Sequence, residues 1–409
     1  MNLNSIISGI EVKEKVGDLN LDITNIHSDS RKIKEGGLFV AINGFSKDGI
    51  QFIPDAIENG AKAIIVEPDT DISTLNVPSN VSIISVNDTR QALALAACNF
   101  YDNPSKKLKL IGVTGTKGKT TTTFMIKSIL QSHGLSVGLI GSIAVYINDE
   151  QIEGTDRTTP ESMDIQKHLH LMVEKNVDVA IIEVSSQAIK LDRVTGCEFE
   201  IGVFTNFSED HISEKEHPNM EDYFNCKLEL LKISKLGVIN NDDEKVKKIK
   251  DLLPDKVIKT FGMETESDIK ANPKNTVISD SFIRFSIGIN GKDEEIEASI
   301  PGTFSVYNAL GAITTAMYFD VTANEIRTAL KDLRVLGRSE LVPNKLGLTI
   351  MIDYAHTPSS LESILTAVKT YAKGKIICAW GVGGNRDSAK RPVMRRNFRA
   401  SCRFYCSYD

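Results

Sequence analysis

Ten consecutive residues, Gly112-Val113-Thr114-Gly115-Thr116-Lys117-Gly118-Lys119-Thr120-Thr121, constrain this chain more than any other stretch. An apolar run, Leu108–Val113, leads into them, and a helical pattern over Lys119–His133, closed by Gly134, leads out. Glycines let a backbone wrap around a phosphate, and the unpaired amides that open the next helix point at it. Lys119 is then placed to reach the β and γ phosphates, with Thr120 or Thr121 helping to hold Mg²⁺. The spacing misses G-x4-GK by one residue, because position 113 is Val. The strand–loop–helix context nevertheless makes this a loop for ATP or GTP.

The rest of the middle block has the same rhythm. Val137–Ile140, Val179–Val184 and Ile201–Thr205 are buried-strand runs, with a helical pattern at Met163–Lys175 between the first two. Strands alternating with helices imply a parallel, doubly wound sheet. Phe282–Ile289 and Glu295–Ile300 flank Asn290-Gly291, a dipeptide suited to a hairpin turn. Before this block, the runs Leu38–Ile42, Ala63–Val66 and Ser82–Val86, with a helix over Ile53–Asn59 ending at Gly60, predict a small α/β domain. After it, a strand at Leu348–Tyr354, a helix from about Ser359 and a strand at Lys375–Trp380 predict the start of another parallel domain. Polar Asn103-Pro104-Ser105-Lys106-Lys107 and the stretch near Val335-Leu336-Gly337-Arg338 mark the boundaries. The expected organisation is three α/β blocks, residues 1–104, 105–335 with the phosphate loop, and 336–409; the resemblance set out below makes the first the UDP-substrate-binding domain and the last a partial third domain.

The formal net charge of −6 argues against a nucleic-acid or membrane-surface partner. No targeting segment opens the chain, and no run approaches the roughly 20 apolar residues of a membrane helix. The six cysteines are scattered, with no CxxC, which fits a reducing cytoplasm better than zinc or disulfide frameworks.

The form TGTKGKTTT resembles the loop of the Mur ligases and their relative folylpolyglutamate synthase. Further strings carry the same resemblance. Glu183-Val184-Ser185-Ser186 ends a strand, Phe204-Thr205-Asn206 runs on to Asp210-His211, and Glu221-Asp222-Tyr223 leads to Cys226-Lys227. Asn308, Gly337-Arg338 and Asp353-Tyr354-Ala355-His356-Thr357-Pro358 follow downstream. The first block carries Ser28-Asp29-Ser30-Arg31, then Gly37-Leu38-Phe39-Val40-Ala41 and Gly44. These, with Thr158-Thr159-Pro160, Arg193-Val194 and the Gly381–Arg391 string, are most similar to the family type that adds the third residue of the peptidoglycan stem peptide. The Ser28–Arg31 block also argues against folylpolyglutamate synthase, which begins directly with its phosphate-loop domain.

The resemblance implies a three-domain α/β fold, with a central phosphate-loop domain and an incomplete Rossmann-like third domain. It implies a cytoplasmic, monomeric enzyme of cell-wall synthesis, and so of cell shape and division. The reaction would join a UDP-N-acetylmuramoyl-dipeptide to meso-diaminopimelate or L-lysine. ATP would phosphorylate a carboxylate, and an amine would displace the phosphate. Gly115, Thr116, Lys117, Gly118, Lys119, Thr120, Thr121, Asn308, Arg338 and Asp353 would hold ATP. Thr120, Glu183, His211 and a carbamylated Lys227 would serve Mg²⁺, and Lys119, Glu183, His211 and Lys227 would be catalytic. Ser30, in the Ser28–Arg31 block, would help cradle the uridine diphosphate end of the substrate, and Thr158, Thr159, Ser185 and Arg193 would contact the muramoyl-dipeptide. The alternative to the carbamate is a surface lysine on an amphipathic helix, and the alternative to the enzyme is a nucleotide-binding remnant without turnover. Gln187 stands where the family often has His, so positioning rather than proton transfer is expected there. The likeness runs to Met394; Arg395–Asp409, arginine-rich and without family likeness, reads as a frameshifted tail, which would leave the third domain uncovered and the chain prone to aggregate.

Overall fold

The computed structural model describes residues 1–44, 48–68, 70, 77–210, 212–213, 216–289, 291–381, 394 and 404–408, the last five as backbone only. His211, Asn290, the string from Val382 to Arg391 and most of the tail after Met394 lie outside the described residues. The chain divides into two compact units. One comprises Met1–Gly112, Gly138–Glu200 and Ile212–Ser234; the other comprises Val113–Val137, Ile201–His211 and Lys235–Asp409.

The first unit begins with a five-stranded sheet in the order Val12–Val16, Ser82–Val86, Ala61–Val66, Gly37–Val40, Asn25–His27. Its inner ladders are parallel, and only the Val12–Val16 edge is antiparallel. Leu38, Val40, Ala63, Ile65 and Ile84 pack on one face against helix Thr89–Phe100, and Phe39, Ile64 and Val66 pack on the other against Ile53 and Ala56. The Leu38–Ala41 run is therefore core on both faces, and whatever it contributes to a ligand comes through its backbone and ends. Asp88 caps the helix by accepting from the Arg90 and Gln91 amides.

The same unit carries strand Val179–Glu183 beside Lys109–Thr114 on one side and Val137–Ile140 on the other. Two further strands, Ala144–Ile147 and Glu150–Gly154, extend this edge as an antiparallel meander. Asn148, at φ +51°, makes their turn.

In the second unit the strand order runs Phe199–Phe204, Ser234–Asn240, Val257–Gly262, Ile269–Lys270, the last three parallel. Helices Lys119–Ser132 and Thr303–Ala316 belong to this unit, and the second of them has buried residues all along its length. The expected hairpin forms as Ile283–Ile289 with Lys292–Ala298, its second strand starting three residues before the expected Glu295, with Gly291 at φ +77°.

The expected strand over Leu348–Tyr354 is a correction. Only Met351–Ile352 is extended, and it pairs antiparallel with Glu340–Leu341. Two polar side chains set its limits: Asn344 bonds the Leu346 amide and the Leu348 carbonyl, and Asp353 takes the Ser339 and Ala355 amides. Leu348 is 60% exposed and Ile352 51% exposed, so the run lacks a buried face to hold it in a central sheet. Helix Pro358–Tyr371 and strand Ile377–Gly381 form as expected, the latter parallel to Phe404–Tyr408. Among the described residues no helix is long and apolar enough to cross a membrane.

Candidate active site

In the second unit, the phosphate loop is fixed by the segment that follows strand Phe199–Phe204. The Thr116 amide donates to the Asn206 carbonyl at 2.9 Å, and the Lys117 amide donates to Asn206 Oδ1 at 2.9 Å. In return, Asn206 Nδ2 at 2.9 Å and Thr205 Oγ1 at 2.6 Å both donate to the Lys117 carbonyl. The Ser208 amide donates to Thr116 Oγ1 at 3.0 Å. Two glycines make this close wrap possible. Gly115 has φ +144°, and a Cβ there would lie 2.0 Å from Thr205 Oγ1; Gly118 has φ +83°, and a Cβ there would lie 2.3 Å from Asn308 Oδ1.

Helix Lys119–Ser132 starts directly after Gly118, so its positive dipole end opens at the loop. Lys119 Nζ donates to the Gly115 carbonyl at 2.9 Å, which holds the ammonium over the loop. Burial pulls the Lys117 amine below the usual lysine range. Asn308, buried on helix Thr303–Ala316, accepts from Thr122 Oγ1 at 3.4 Å. Arg338 donates to Thr120 Oγ1 at 3.2 Å, and its guanidinium lies over the Tyr354 ring. Next to it, Asp353 accepts from the Ser339 and Ala355 amides, both at 2.8 Å, and partial desolvation of its carboxyl raises its pKa from the ordinary value. All the expected nucleotide residues that follow Val113 thus belong to one unit, and Lys119, Asn308, Arg338 and Thr120 are linked to the loop directly or through one neighbour.

A second group assembles in the first unit around Glu183, the last residue of its strand and only 1% exposed. Its Oε1 accepts from the Ser142 amide at 2.9 Å, and its Oε2 lies 3.0 Å from Ser142 Oγ, which is 3.2 Å from Thr158 Oγ1. Gly141 is required beside it, since a Cβ there would meet Glu183 Oε1 at 2.3 Å. Thr159 Oγ1 donates to the Glu183 carbonyl at 2.7 Å and accepts from the Ser185 amide at 3.0 Å. Arg193 donates to the Thr159 carbonyl and pairs with Glu161 at 3.1 Å; burial lowers its pKa, and its Nε has no partner among the described residues. Gln187 Nε2 is likewise buried and unpartnered. Threonine pair, serine and arginine therefore form one connected polar group on the Glu183 strand end.

Lys227 lies on helix Met220–Ile233 with its Nζ 4.6 Å from the centre of the Tyr223 ring. It is 2% exposed, which rules out a solvated surface lysine. Ser30 is buried where a single 3₁₀ turn, Ser30–Lys32, leaves the first sheet; its carbonyl accepts from Asn59, and Asp29 caps the turn. Sequence reasoning missed the parts that Asn206, Thr205, Gly141 and Ser142 play. A Thr-Asn pair and a Gly-Ser pair at strand ends were the available signals.

Family models for the Mur ligases match three stretches: the "Mur ligase family, catalytic domain" over residues 22–101, the "Mur ligase middle domain" over 113–316 and the "Mur ligase, glutamate ligase domain" over 337–401. A UDP-N-acetylmuramoyl-L-alanyl-D-glutamate--2,6-diaminopimelate ligase of Clostridium acetobutylicum is 42% identical over 401 residues, 96% of this chain and 80% of that one. Its counterpart in Clostridium botulinum is 43% identical with the same coverage. A solved structure of a ligase with this name aligns at TM-score 0.78 and 24% identity, over 100% of this chain and 82% of that one, which shows a shared fold. With matches along most of its length, the chain belongs to the Mur ligase family and is an ATP-dependent ligase.

Proposed function

We propose that this ligase adds meso-diaminopimelate to UDP-N-acetylmuramoyl-L-alanyl-D-glutamate, the third-residue step of peptidoglycan precursor synthesis. The observation that carries the reading is the shared name of relatives 42–43% identical across 96% of the chain. The same names favour diaminopimelate over lysine, the two amino acids the sequence left open. The substrate's D-glutamate carboxylate attacks the γ-phosphorus of ATP, giving an acyl phosphate and ADP. The amine of diaminopimelate then attacks the acyl carbon, losing a proton as the amide forms and inorganic phosphate leaves.

Little covalent chemistry is asked of the protein here; it must align two anions and offset their charge. Loop amides from Gly115 to Thr121, together with Lys119, take the β and γ phosphates. Asn308 holds the loop's flank, Arg338 covers it, and Asp353 takes the ribose. On the acceptor side, Thr158, Thr159, Ser185 and Arg193 orient the muramoyl-dipeptide, with Arg193 Nε as an unused donor for a carboxylate. Ser30 serves the UDP end. In the first unit Glu183, a buried strand-end carboxylate, and a carbamylated Lys227 are the donors proposed to serve Mg²⁺, and in the second the Thr120 hydroxyl and His211 are. Such an ion, when bound, would supply neutralisation of the phosphate charge. Lys227 is held in the interior rather than in solvent, which is where a ligand on this helix would have to lie. We place the enzyme in the cytoplasm as a monomer, with domains at 1–104, 105–335 and 336–409.

The test is turnover with ATP, the UDP-linked dipeptide and either diaminopimelate or lysine. The expected result is a tripeptide product by mass, one ADP and one phosphate per amide, and with diaminopimelate only. Preference for lysine overturns the choice of amino acid, and nucleotide binding without any amide product overturns the enzyme in favour of a remnant.

A further inference from the structure

Beside the acceptor group, but not used by it, three different donor types converge in the first unit. His217, Asp222 and Cys226 each offer a ligand atom, and all three atoms lie within 4.8 Å of one another. Their placement is built from the sequence. Asn219 caps helix Met220–Ile233, and Asp222 and Cys226, four residues apart, stand on one face of its first two turns. His217, fully buried, precedes the cap and turns back onto that face, with its Nδ1 2.6 Å from Asp222 Oδ2. The other ring nitrogen, Nε2, is 2.9 Å from Ser186 Oγ, which fixes the ring and aims Nδ1 at the cluster. A histidine oriented through its far nitrogen is the usual arrangement of a metal-binding imidazole.

A purely structural reading explains part of this. His217 and Asp222 make an ion pair, extended by Lys190 Nζ at 3.0 Å from the same Asp222 oxygen. It leaves Cys226 without a part to play, although its thiol sits within the cluster. We propose that His217, Asp222 and Cys226 form a site for one thiophilic divalent cation of the zinc class, with water as fourth ligand. Nitrogen, carboxylate oxygen and sulfur together select a borderline-soft tetrahedral ion over Mg²⁺, so this site is chemically distinct from the hard-oxygen set at Glu183. Tetrahedral bonds of about 2.0–2.3 Å put ligand atoms roughly 3.6 Å apart, so the 2.6 Å His217–Asp222 contact opens and the Cys226 side chain turns inward, each by about an ångström, to close the set. Lys190 gives up Asp222 on binding and keeps its second acceptor, the Glu216 carbonyl at 2.9 Å. Lys227 directly follows Cys226, and Ser186 directly follows Ser185, so an ion here stiffens segments that both carry proposed ligase residues.

Cobalt(II) titrated into the full chain, in the presence of excess Mg²⁺, is the test. The expected result is one tight equivalent with a thiolate-to-cobalt charge-transfer band, displaced by zinc. Cys226→Ser abolishes the band, His217→Ala and Asp222→Asn weaken binding at least tenfold, and Cys98→Ser leaves both unchanged. Circular dichroism of each variant verifies the fold, and the conservative Cys226→Ser decides should His217→Ala fail to fold. No band at one equivalent, or a band of full strength in Cys226→Ser, overturns the site.

Discussion

Gly115→Ala tests whether the phosphate loop is held by the geometry described here. Two effects add. The backbone at φ +144° is one that side chains rarely adopt, and forcing alanine there costs about 1–3 kcal/mol. The new methyl would also overlap Thr205 Oγ1, 2.0 Å from the ideal Cβ, and overpacking of that kind costs about 1–3 kcal/mol more. Thr205 is poorly placed to retreat, being buried and bonded to the Lys117 carbonyl at 2.6 Å. The sum, about 4 kcal/mol, corresponds to a loss of ATP affinity of a hundredfold or more at about 1.4 kcal/mol per decade. Thr205→Ala alone removes the short bond to the Lys117 carbonyl and two long contacts of 3.3 Å, to the Thr114 carbonyl and from Asn206 Nδ2, and costs about 1 kcal/mol because Asn206 Nδ2 still satisfies the Lys117 carbonyl. In the double variant the overlap is gone but the backbone strain remains. The two changes together should therefore fall short of their sum by about 2 kcal/mol. Calorimetric ATP binding by the four proteins of this cycle measures that coupling. Strict additivity, or normal affinity in Gly115→Ala, refutes the steric account.

Three other outcomes follow from the same structure. Lys119→Ala should lower kcat/KM for ATP by about 10²–10⁴ while shifting the unfolding midpoint little, since its described bonds are to carbonyls of its own loop; normal turnover would contradict the assignment. Lys227→Ala should lose most activity and be partly restored by short carboxylates, whereas full activity in Lys227→Arg, which keeps the positive charge, would rule out an anionic role. His168 is buried with Nδ1 unpartnered, and burial holds its pKa below the ordinary histidine value. The unfolded chain therefore gains a proton near pH 6.5 that the folded chain declines, so stability is complete above that pH and falls below it, by at most about 1.4 kcal/mol per pH unit, until the lowered folded pKa is reached. Urea midpoints measured on either side of about pH 6.5 should show a shallower acid loss in His168→Gln than in the parent, and equal slopes would count against this.

Local signals predicted the elements nearest the nucleotide well. The strand, loop and helix around Gly112–Thr121 and the stop at Gly134, φ +93°, are dictated by residues a few positions apart. The meander Ala144–Ile147 with Glu150–Gly154 was not legible, because its second strand is largely exposed and has no apolar alternation. Leu348–Tyr354 misled for the converse reason: apolar residues suggested a buried strand that polar bonds from Asn344 and Asp353 cut short. At the site, residue types were readable but partners were not. Nothing local reveals that Asn206 binds Lys117, 89 positions away, or that Ser142 lies against Glu183, 41 positions away. Burial of Lys227 on the same face as Tyr223 likewise depends on packing that an amphipathic pattern leaves open.

The central claim is that this chain joins its substrates through an acyl phosphate, and isotope transfer measures that directly. The UDP-linked dipeptide labelled with ¹⁸O in its D-glutamate carboxylate is incubated with the full chain, unlabelled ATP, Mg²⁺ and diaminopimelate, and the released phosphate is analysed by mass. Activation by phosphorylation carries one carboxylate oxygen into phosphate, so the account predicts one ¹⁸O in phosphate for each amide formed. Amide formation with unlabelled phosphate would contradict it.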